Sequence, residues 1–284
     1  MRIIREIAEL RGTLDGRRRE GARIGLVPTM GYFHEGHLSL MRRARVDCEV
    51  TVVSLFVNPT QFNDTADLEA YPRDEARDAA IAQSAGVDVL FAPNATEMYE
   101  HGASTSVVVG GVSESLEGAS RGPGHFRGVA TVVAKLFNIV QPSVAYFGQK
   151  DAQQALVVRR MARDLDFPVR IEVCPTVREP DGLAMSSRNV RLPPPARAQA
   201  LALRRGLDAA VAAVAGGERD GARVEARARQ AMQALGVEPE YFAVVSAETL
   251  SPVRSLAGEI LLAVAARVGG VRLIDNEIIG APPT

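Results

Sequence analysis

Through the first 175 residues, short apolar runs rich in β-branched side chains alternate with longer stretches whose apolar positions recur every three or four residues. The runs ARIGLVP (22–28), EVTVVSLFV (49–57), VDVLFAP (87–93), SVAYFG (143–148) and VRIEVCP (169–175) are predicted strands. Between them GHLSLMRRAR (36–45), DEARDAAIAQSAG (74–86), GVATVVAKLFNIV (128–140) and DAQQALVVRRMARDL (151–165) are predicted helices. The opening MRIIREIAELRGTLDGRRREG scatters charge through apolar positions at helical spacing and lacks the unbroken apolar segment of a signal peptide. Strand–helix alternation of this kind predicts an α/β fold with a doubly wound, mainly parallel sheet, whose ligands bind beyond the carboxyl ends of strands where the strand order reverses.

After about residue 176 the texture changes. Two Ala/Arg-rich helical stretches (about 195–215 and 219–235) precede EYFAVVSAETL (240–250) and EILLAVAARVGGVRLIDNEII (259–279), which read as strands. The expected organisation is a first domain over 1–176 and a smaller α+β domain over 177–284, with a hinge near CPTVREPDG, whose Pro, Asp and Gly punctuate the chain. No internal repeat is present, and RVEARARQAM (223–232) reads as the solvated face of a helix.

Composition narrows the function classes. With 46% hydrophobic and 24% charged residues the chain is globular, and its formal net charge of −1 gives no electrostatic reason for a nucleic-acid or membrane partner. Its longest apolar run, ILLAVAA (260–266), is far short of a membrane span. Cys48 and Cys174 form neither a metal-type nor a redox-type pair, which predicts two buried thiols and, with the missing signal segment, a cytoplasmic protein. Of the 33 basic residues only Lys135 and Lys150 are lysines. Codon bias accounts for much of that skew, but a surviving lysine also marks a place where a compact ammonium suits better than a planar fork. Lys135 lies in an amphipathic stretch where its stem can cover apolar surface; Lys150 does not.

The chemistry concentrates in three places. In PTMGYFHEGH (28–37) a predicted strand ends, a glycine-containing loop follows and a helix begins, so orphan backbone N–H groups form a phosphate-suited site. His34 and His37 fall at its first turn, where the positive helix end disfavours an imidazolium and favours neutral donors. A zinc pair lacks a third ligand with supporting spacing, and HEGH is one residue shorter than HExxH; two histidines that merely cap a helix are the other reading. In YFGQKDAQQ (146–154) Lys150 follows a strand end beside the capping residue Asp151, directed at a ligand or simply paired with that aspartate. In GLAMSSRN (182–189) two hydroxyls and an arginine suit a triphosphate, although the string alone is weak. Asn58 and Gln61 in VNPTQF (57–62) are amides able to read a small polar substrate, and RGPGHFRGV (121–129) is a predicted Gly/Pro loop carrying Arg121 and Arg127 that either covers a site or joins two elements.

These residues resemble a known family. HEGH after the first strand of the alternating series, a lysine at a later strand end and MSSRN resemble the HIGH/KMSKS-type nucleotidyltransferase superfamily. More narrowly, PTMGYFHEGHLSL, FVNPTQF, GHFRGVATVV, YFGQKDAQQ and PTVREPDGLAMSSRN, in this order over about residues 26–192, resemble the pantothenate synthetase (pantoate–β-alanine ligase) family. The C-terminal third resembles it mainly in length and in its closing RLIDN. The resemblance implies a Rossmann-like fold and an ATP- and Mg²⁺-dependent ligase that condenses (R)-pantoate with β-alanine through an enzyme-bound pantoyl adenylate, releasing AMP and pyrophosphate. It implies ATP contacts from Met30, Gly31, Tyr32, Phe33, His34, Glu35, Gly36 and His37, with His37 the catalytic histidine and His34 its partner on the phosphates. Gly148, Gln149, Lys150 and Asp151 would also contact ATP, Lys150 at the phosphates, with Val177 bordering the adenine and Met185, Ser186, Ser187 and Arg188 forming the phosphate-side loop. Members vary at the position of Gln149. Gln61 and Gln154 would hold pantoate, Gln61 also β-alanine, and Asn58 is expected to bind these substrates with them. No residue is assigned as a metal ligand, a homodimer is implied, and closure of the second domain's serine loop over ATP would exclude water. A nucleotidyltransferase that stops at nucleotide transfer would share the histidines without needing both glutamines.

Overall fold

Six strands build one parallel sheet, whose four inner strands are short apolar runs buried on both faces, as a sheet covered by crossover helices requires, while the two edge strands are partly exposed. The computed structural model describes residues 1–63 and 65–281. The strands are β1 (Arg2–Ile4), β2 (Ile24–Thr29), β3 (Val50–Leu55), β4 (Val89–Phe91), β5 (Val144–Gly148) and β6 (Arg170–Cys174), in spatial order β1-β4-β3-β2-β5-β6. The fold class is therefore the doubly wound α/β arrangement that the alternation predicts, reversing direction between β2 and β5. One strand was not expected. Arg2–Ile4 pairs with β4 (Arg2 opposite Val89, Ile4 opposite Phe91), and the N-terminal helix begins only at Ile7. Three residues cannot show a period, and Ile3 and Ile4 blend into the apolar pattern of the helix that follows.

A second departure concerns residues 117–128. The predicted Gly/Pro loop is mostly helical: a short helix Glu117–Arg121 is separated by Gly122, at φ +80°, from a long one over Pro123–Val140. Pro123 stands at the first helical position, where its missing N–H costs nothing. This helix packs against the turn Pro59–Gln61 at Gly128, where a Cβ would lie 2.4 Å from the Thr60 carbonyl oxygen, so only glycine fits.

β2 and β3 pair along their full lengths, from Ile24 opposite Val50 to Thr29 opposite Leu55. β2 and β5 pair only at Gly25 with Val144 and Leu26 with Ala145, although both strands run on. Their carboxyl ends therefore part, and the segment after β2 turns away from the sheet there. That segment is held by Asp78, an acid on the buried face of the helix Glu75–Ser84 and only 1% exposed. The Tyr32 and Phe33 N–H groups donate to its two carboxylate oxygens at 2.6 and 2.7 Å. Gly31 (φ +91°) lies against the same carboxylate, and a Cβ there would come within 2.6 Å of Leu55 Cδ1. Arg77 donates to the Phe33 carbonyl (2.9 Å) and covers the Tyr32 ring at 4.9 Å. Burial pushes the Asp78 carboxyl above its usual range, against the pull of the two N–H groups and Arg77.

The chain from Thr176 on, together with Lys150–Ala152, forms a separate compact unit. Its antiparallel sheet has the order β7-β8-β9, with β7 over Tyr241–Ser246, β8 over Gly258–Val268 and β9 over Val271–Ala281. Gly269 and Gly270, both at positive φ, close β8 and β9 into a two-residue hairpin. The helices Leu201–Ala215 and Gly221–Gln233 contribute Leu203, Leu207, Val224, Ala228 and Met232 to a core with Phe242, Leu262 and Val264. The arginines of RVEARARQAM thus leave Val224, Ala228 and Met232 facing inward, as expected of a solvated helix with one buried side.

Asp78→Ala should strand two backbone donors, lowering the unfolding free energy by about 2–3 kcal/mol in urea titrations, and Asp78→Asn by less because one acceptor survives. An unchanged midpoint for Asp78→Ala would refute this anchoring role.

Candidate functional site

The helix Glu35–Asp47 follows directly on the anchored segment, with His34 as its N-cap in extended conformation (φ −137°, ψ 176°). The Gly36 N–H donates to His34 Nδ1 (3.1 Å), and the His34 N–H donates to His37 Nδ1 (3.3 Å). The two histidines form a reciprocal capping box, a task usually given to Ser/Thr and Glu. A ring nitrogen that accepts carries no proton, so each imidazole bears its N–H at Nε2. The two ring centroids are 4.2 Å apart. Capping and neutral donors, which the sequence leaves as competing readings, are thus one arrangement: the cap sets the tautomer.

Gln61 closes the turn Pro59–Gln61 at the end of β3. Its Oε1 accepts from Asn58 Nδ2 (3.2 Å), its Nε2 donates to Met30 Sδ (2.9 Å), and its carbonyl accepts from His125 Nδ1 (2.8 Å). Asn58, 1% exposed, also donates to the Gly128 carbonyl (3.1 Å) and accepts from the Tyr99 hydroxyl (2.9 Å). The structure thus makes Asn58 a support for the Gln61 amide. Lys135 does more than cover apolar surface: its ammonium lies 5.8 Å from the Tyr99 ring centre.

Of the glutamine pair, Gln153 is buried and structural. It donates to the Val112 and Ser115 carbonyls (2.9 and 2.8 Å) and accepts from the Glu117 N–H (2.9 Å). Gln154 is half-buried in the helix Ala152–Asp164. Arg121 pairs with Glu117 at 2.8 Å. Gly148 ends β5, and Gln149, Lys150 and Asp151 form one 3₁₀ turn. Lys150 Nζ lies 3.9 Å from Asp151 Oδ1, the outer limit of an ion pair, and the lysine side chain is 19% exposed. The Asp151 pairing is therefore present and loose.

In the second unit, Arg178 to Ala184 form a small hairpin closed by a bridge between those two residues, with Gly182 at φ +97°. Val177 and Met185 are joined across its base, the Met185 N–H donating to the Val177 carbonyl (3.0 Å). Ser186 caps a 3₁₀ turn over Ser187–Arg191, its Oγ accepting from the Arg188 N–H (3.2 Å). Asn189 donates to Glu179 Oε1 (2.7 Å) and the Ala184 carbonyl (3.1 Å), and Arg197 pairs with Glu179 and Asp181 at 2.7 Å each. The Met185–Arg188 backbone is thus fixed from within its own unit.

Sequence reasoning missed Asp78, Arg77, His125 and Tyr99. Asp78 left a readable signal, an acid four residues before Ala82 on the apolar stripe of its helix. The other three act through contacts far along the chain and left none. Among the described residues no group of three or more His, Cys, Asp or Glu could hold a metal ion. Cys48 and Cys174 are both buried and free, and burial pushes the Cys174 thiol up.

The profile of the Pantoate-beta-alanine ligase family matches residues 2–278. The chain is 55% identical to the pantothenate synthetase of Heliobacterium modesticaldum, over 98% of this chain and 99% of that one. It is 53% identical to pantothenate synthetase 1 of Bradyrhizobium diazoefficiens over 100% of both. The crystal structure of pantothenate synthetase from Thermus thermophilus superposes with a TM-score of 0.92 at 49% identity, covering 98% of this chain and 99% of that one. That of the pantoate–β-alanine ligase from Francisella tularensis, complexed with β-γ ATP and β-alanine, gives 0.79 at 34% identity over 98% and 97%. With the histidine cap, the Gln61 cluster and the Met-Ser-Ser-Arg turn all in a fold that agrees over the full length, this chain belongs to the pantoate–β-alanine ligase family.

Proposed function

We propose that this chain condenses (R)-pantoate with β-alanine at the expense of ATP, through a pantoyl adenylate that stays on the enzyme. The observation that carries the reading is the histidine capping box, which holds two Nε2–H donors together at the positively polarised start of a helix. When the pantoate carboxylate attacks the α-phosphorus, the bond to the bridging oxygen breaks and negative charge grows on departing pyrophosphate. His34, His37, Lys150 and Arg188 would stabilise that charge without becoming bonded to it. In the second half-reaction the β-alanine amine attacks the acyl carbon, AMP leaves and the amine proton is lost. That step needs positioning and exclusion of water more than acid–base power.

Met30 to His37, Gly148 to Asp151, Val177 and Met185 to Arg188 are assigned to ATP, and Gln61 and Gln154 to pantoate. Asn58 acts on the substrates by orienting the Gln61 amide. Residues 1–176 bind nucleotide and pantoate in this reading, and 177–284 carry the Met-Ser-Ser-Arg loop. In this reading Mg²⁺ enters as part of the Mg·ATP substrate; among the described residues no group of three or more His, Cys, Asp or Glu could hold it. No described helix is long and apolar enough to cross a membrane. We take the protein to act as a cytoplasmic homodimer without a nucleic-acid or membrane partner.

Enzyme with Mg²⁺, ATP and pantoate, without β-alanine, should exchange labelled pyrophosphate into ATP, and omission of pantoate should abolish the exchange. Denatured enzyme should carry no pantoyl label; a stable label would place the acyl group on a protein nucleophile instead.

Lys150→Ala should lower turnover at least ~100-fold while the fold is kept, and Lys150→Arg should rescue poorly because a guanidinium is larger and planar. Turnover near wild type in either variant would remove Lys150 from the phosphate role.

His37→Ala should slow adenylate formation more than it weakens ATP binding, since a donor aimed at developing charge acts mostly in the transition state. Equal losses in single-turnover rate and calorimetric affinity would mark a ground-state contact. His101→Ala, in an exposed turn, serves as the control and should be nearly silent.

A further inference from the structure

The closing RLIDN motif (272–276) lies on β9 and takes no part in the reading above. Asp275 and Asn276 are nevertheless its two most unusual residues, both polar and both buried (3% and 4% exposed) in the middle of a strand. Successive strand side chains point to opposite faces, so the pair serves both sides of β9.

On one side Asp275 receives Arg178 through two bonds, Nη1 to Oδ2 at 2.6 Å and Nη2 to Oδ1 at 3.1 Å. The same guanidinium donates to the Gly182 carbonyl (3.2 Å), tying the first residue of the Arg178–Ala184 hairpin to its turn. That hairpin leads directly into Met185–Arg188. On the other side Asn276 Nδ2 donates to the backbone carbonyl of Lys150 (2.9 Å). The Asn276 backbone N–H also donates to Asp275 Oδ1 (2.8 Å), which fixes that carboxylate against the strand. Burial pushes the Asp275 carboxyl up, while Arg178 and, more weakly, the Lys150 charge oppose that rise. Glu277, the next residue on the Asp275 side, adds Arg204 at 2.9 Å and Arg178 at 3.6 Å.

A core strand has no need of such groups, because burying polar atoms costs stability unless every one is matched. Their partners share one property: each lies at the root of an element assigned above to the ATP phosphates. We propose that Asp275 and Asn276 are positioning residues for phosphate transfer, Asn276 fixing the backbone from which Lys150 projects and Asp275 fixing, through Arg178, the hairpin that carries Met185–Arg188. A single dipeptide on a rigid strand thereby sets both cationic elements of the second unit in one register. The proposal rests on the assignment of Lys150 to the phosphates.

The test compares Asn276→Ala, Lys150→Ala and the double variant in pantoate-dependent pyrophosphate exchange, with hydrogen exchange of the ligand-free proteins. Asn276→Ala should lower kcat about tenfold with KM for pantoate within about twofold, and in the Lys150→Ala background it should cost less than about twofold. Amide exchange over residues 150–152 should rise while the rest of the second unit keeps its protection. Asp275→Asn, which keeps the shape and removes the charge facing Arg178, should raise exchange over 177–188. A kcat loss of the same factor in both backgrounds, or exchange raised evenly through the unit, would reduce the pair to a structural role and overturn the proposal. Should Asn276→Ala not fold, Asn276→Asp keeps the side-chain shape while removing the donor, and the same cycle applies. Lys150→Ala with wild-type exchange would instead refute the phosphate assignment, and the positioning role with it.

Discussion

Between Thr29 and Leu38 the backbone leaves a buried strand and enters a helix, and over that span its N–H groups have no ladder to join. An unmatched donor away from water is expensive; the His37 and Leu38 N–H groups already reach the His34 carbonyl (2.8 and 3.1 Å), and four others take side chains. Tyr32 and Phe33 find the Asp78 carboxylate, His34 finds the His37 ring, and Gly36 finds the His34 ring. The site follows from this requirement. The carboxylate holds the loop where β2 and β5 part, and the two rings, used as acceptors at Nδ1, have their protons placed at Nε2. The histidines are held in the state suited to binding anions by the same bonds that begin the helix.

The Gln61 cluster obeys the same rule by a longer route. An amide can point either way, and only its neighbours decide which end is donor and which acceptor. Asn58 occupies the oxygen of Gln61, Met30 takes a bond from the nitrogen, and His125 holds its carbonyl. Asn58 is in turn oriented by Gly128 and Tyr99. The PTMGYFHEGH, VNPTQF and GHFRG segments therefore meet in one network, which explains why a glycine is required where the helix Pro123–Val140 crosses the turn. In the second unit, the Arg178–Asp275 pair and the Asn189–Glu179–Arg197 group do the same for the Met-Ser-Ser-Arg turn. In each unit the motif segment is held by hydrogen bonds and ion pairs from within that unit.

Local pattern was enough for much of this. Alternation of β-branched runs with amphipathic stretches fixed the α/β class, five of the six parallel strands and the helix starting beside His34 and His37. Motif order pointed to the family, because glycines, histidines and hydroxyls at strand-to-helix turns have local physical reasons to be there. Burial of the two cysteines followed from their chemistry. The edge strand Arg2–Ile4 was illegible because its only justification is β4, some 85 residues away. The helices at 117–128 were obscured by Gly122 and Pro123, which signal a break without saying that helix lies on both sides.

Tertiary structure alone decided which polar residues are buried as supports and which stay partly exposed. Nothing in VNPTQF separates Asn58 from Gln61, and nothing in KDAQQ separates Gln153 from Gln154; burial by distant segments does. An aspartate in an amphipathic helix becomes the anchor of a loop more than forty residues away, and an aspartate in a C-terminal strand becomes the partner of Arg178, because each sits where unmatched donors converge. Sequence carries the periodicities that make elements and the residue types that suit a chemistry. The direction of an amide, the tautomer of an imidazole and the partner of a buried carboxylate are set only when the elements pack, since hydrogen bonding is directional and depends on neighbours that are remote along the chain.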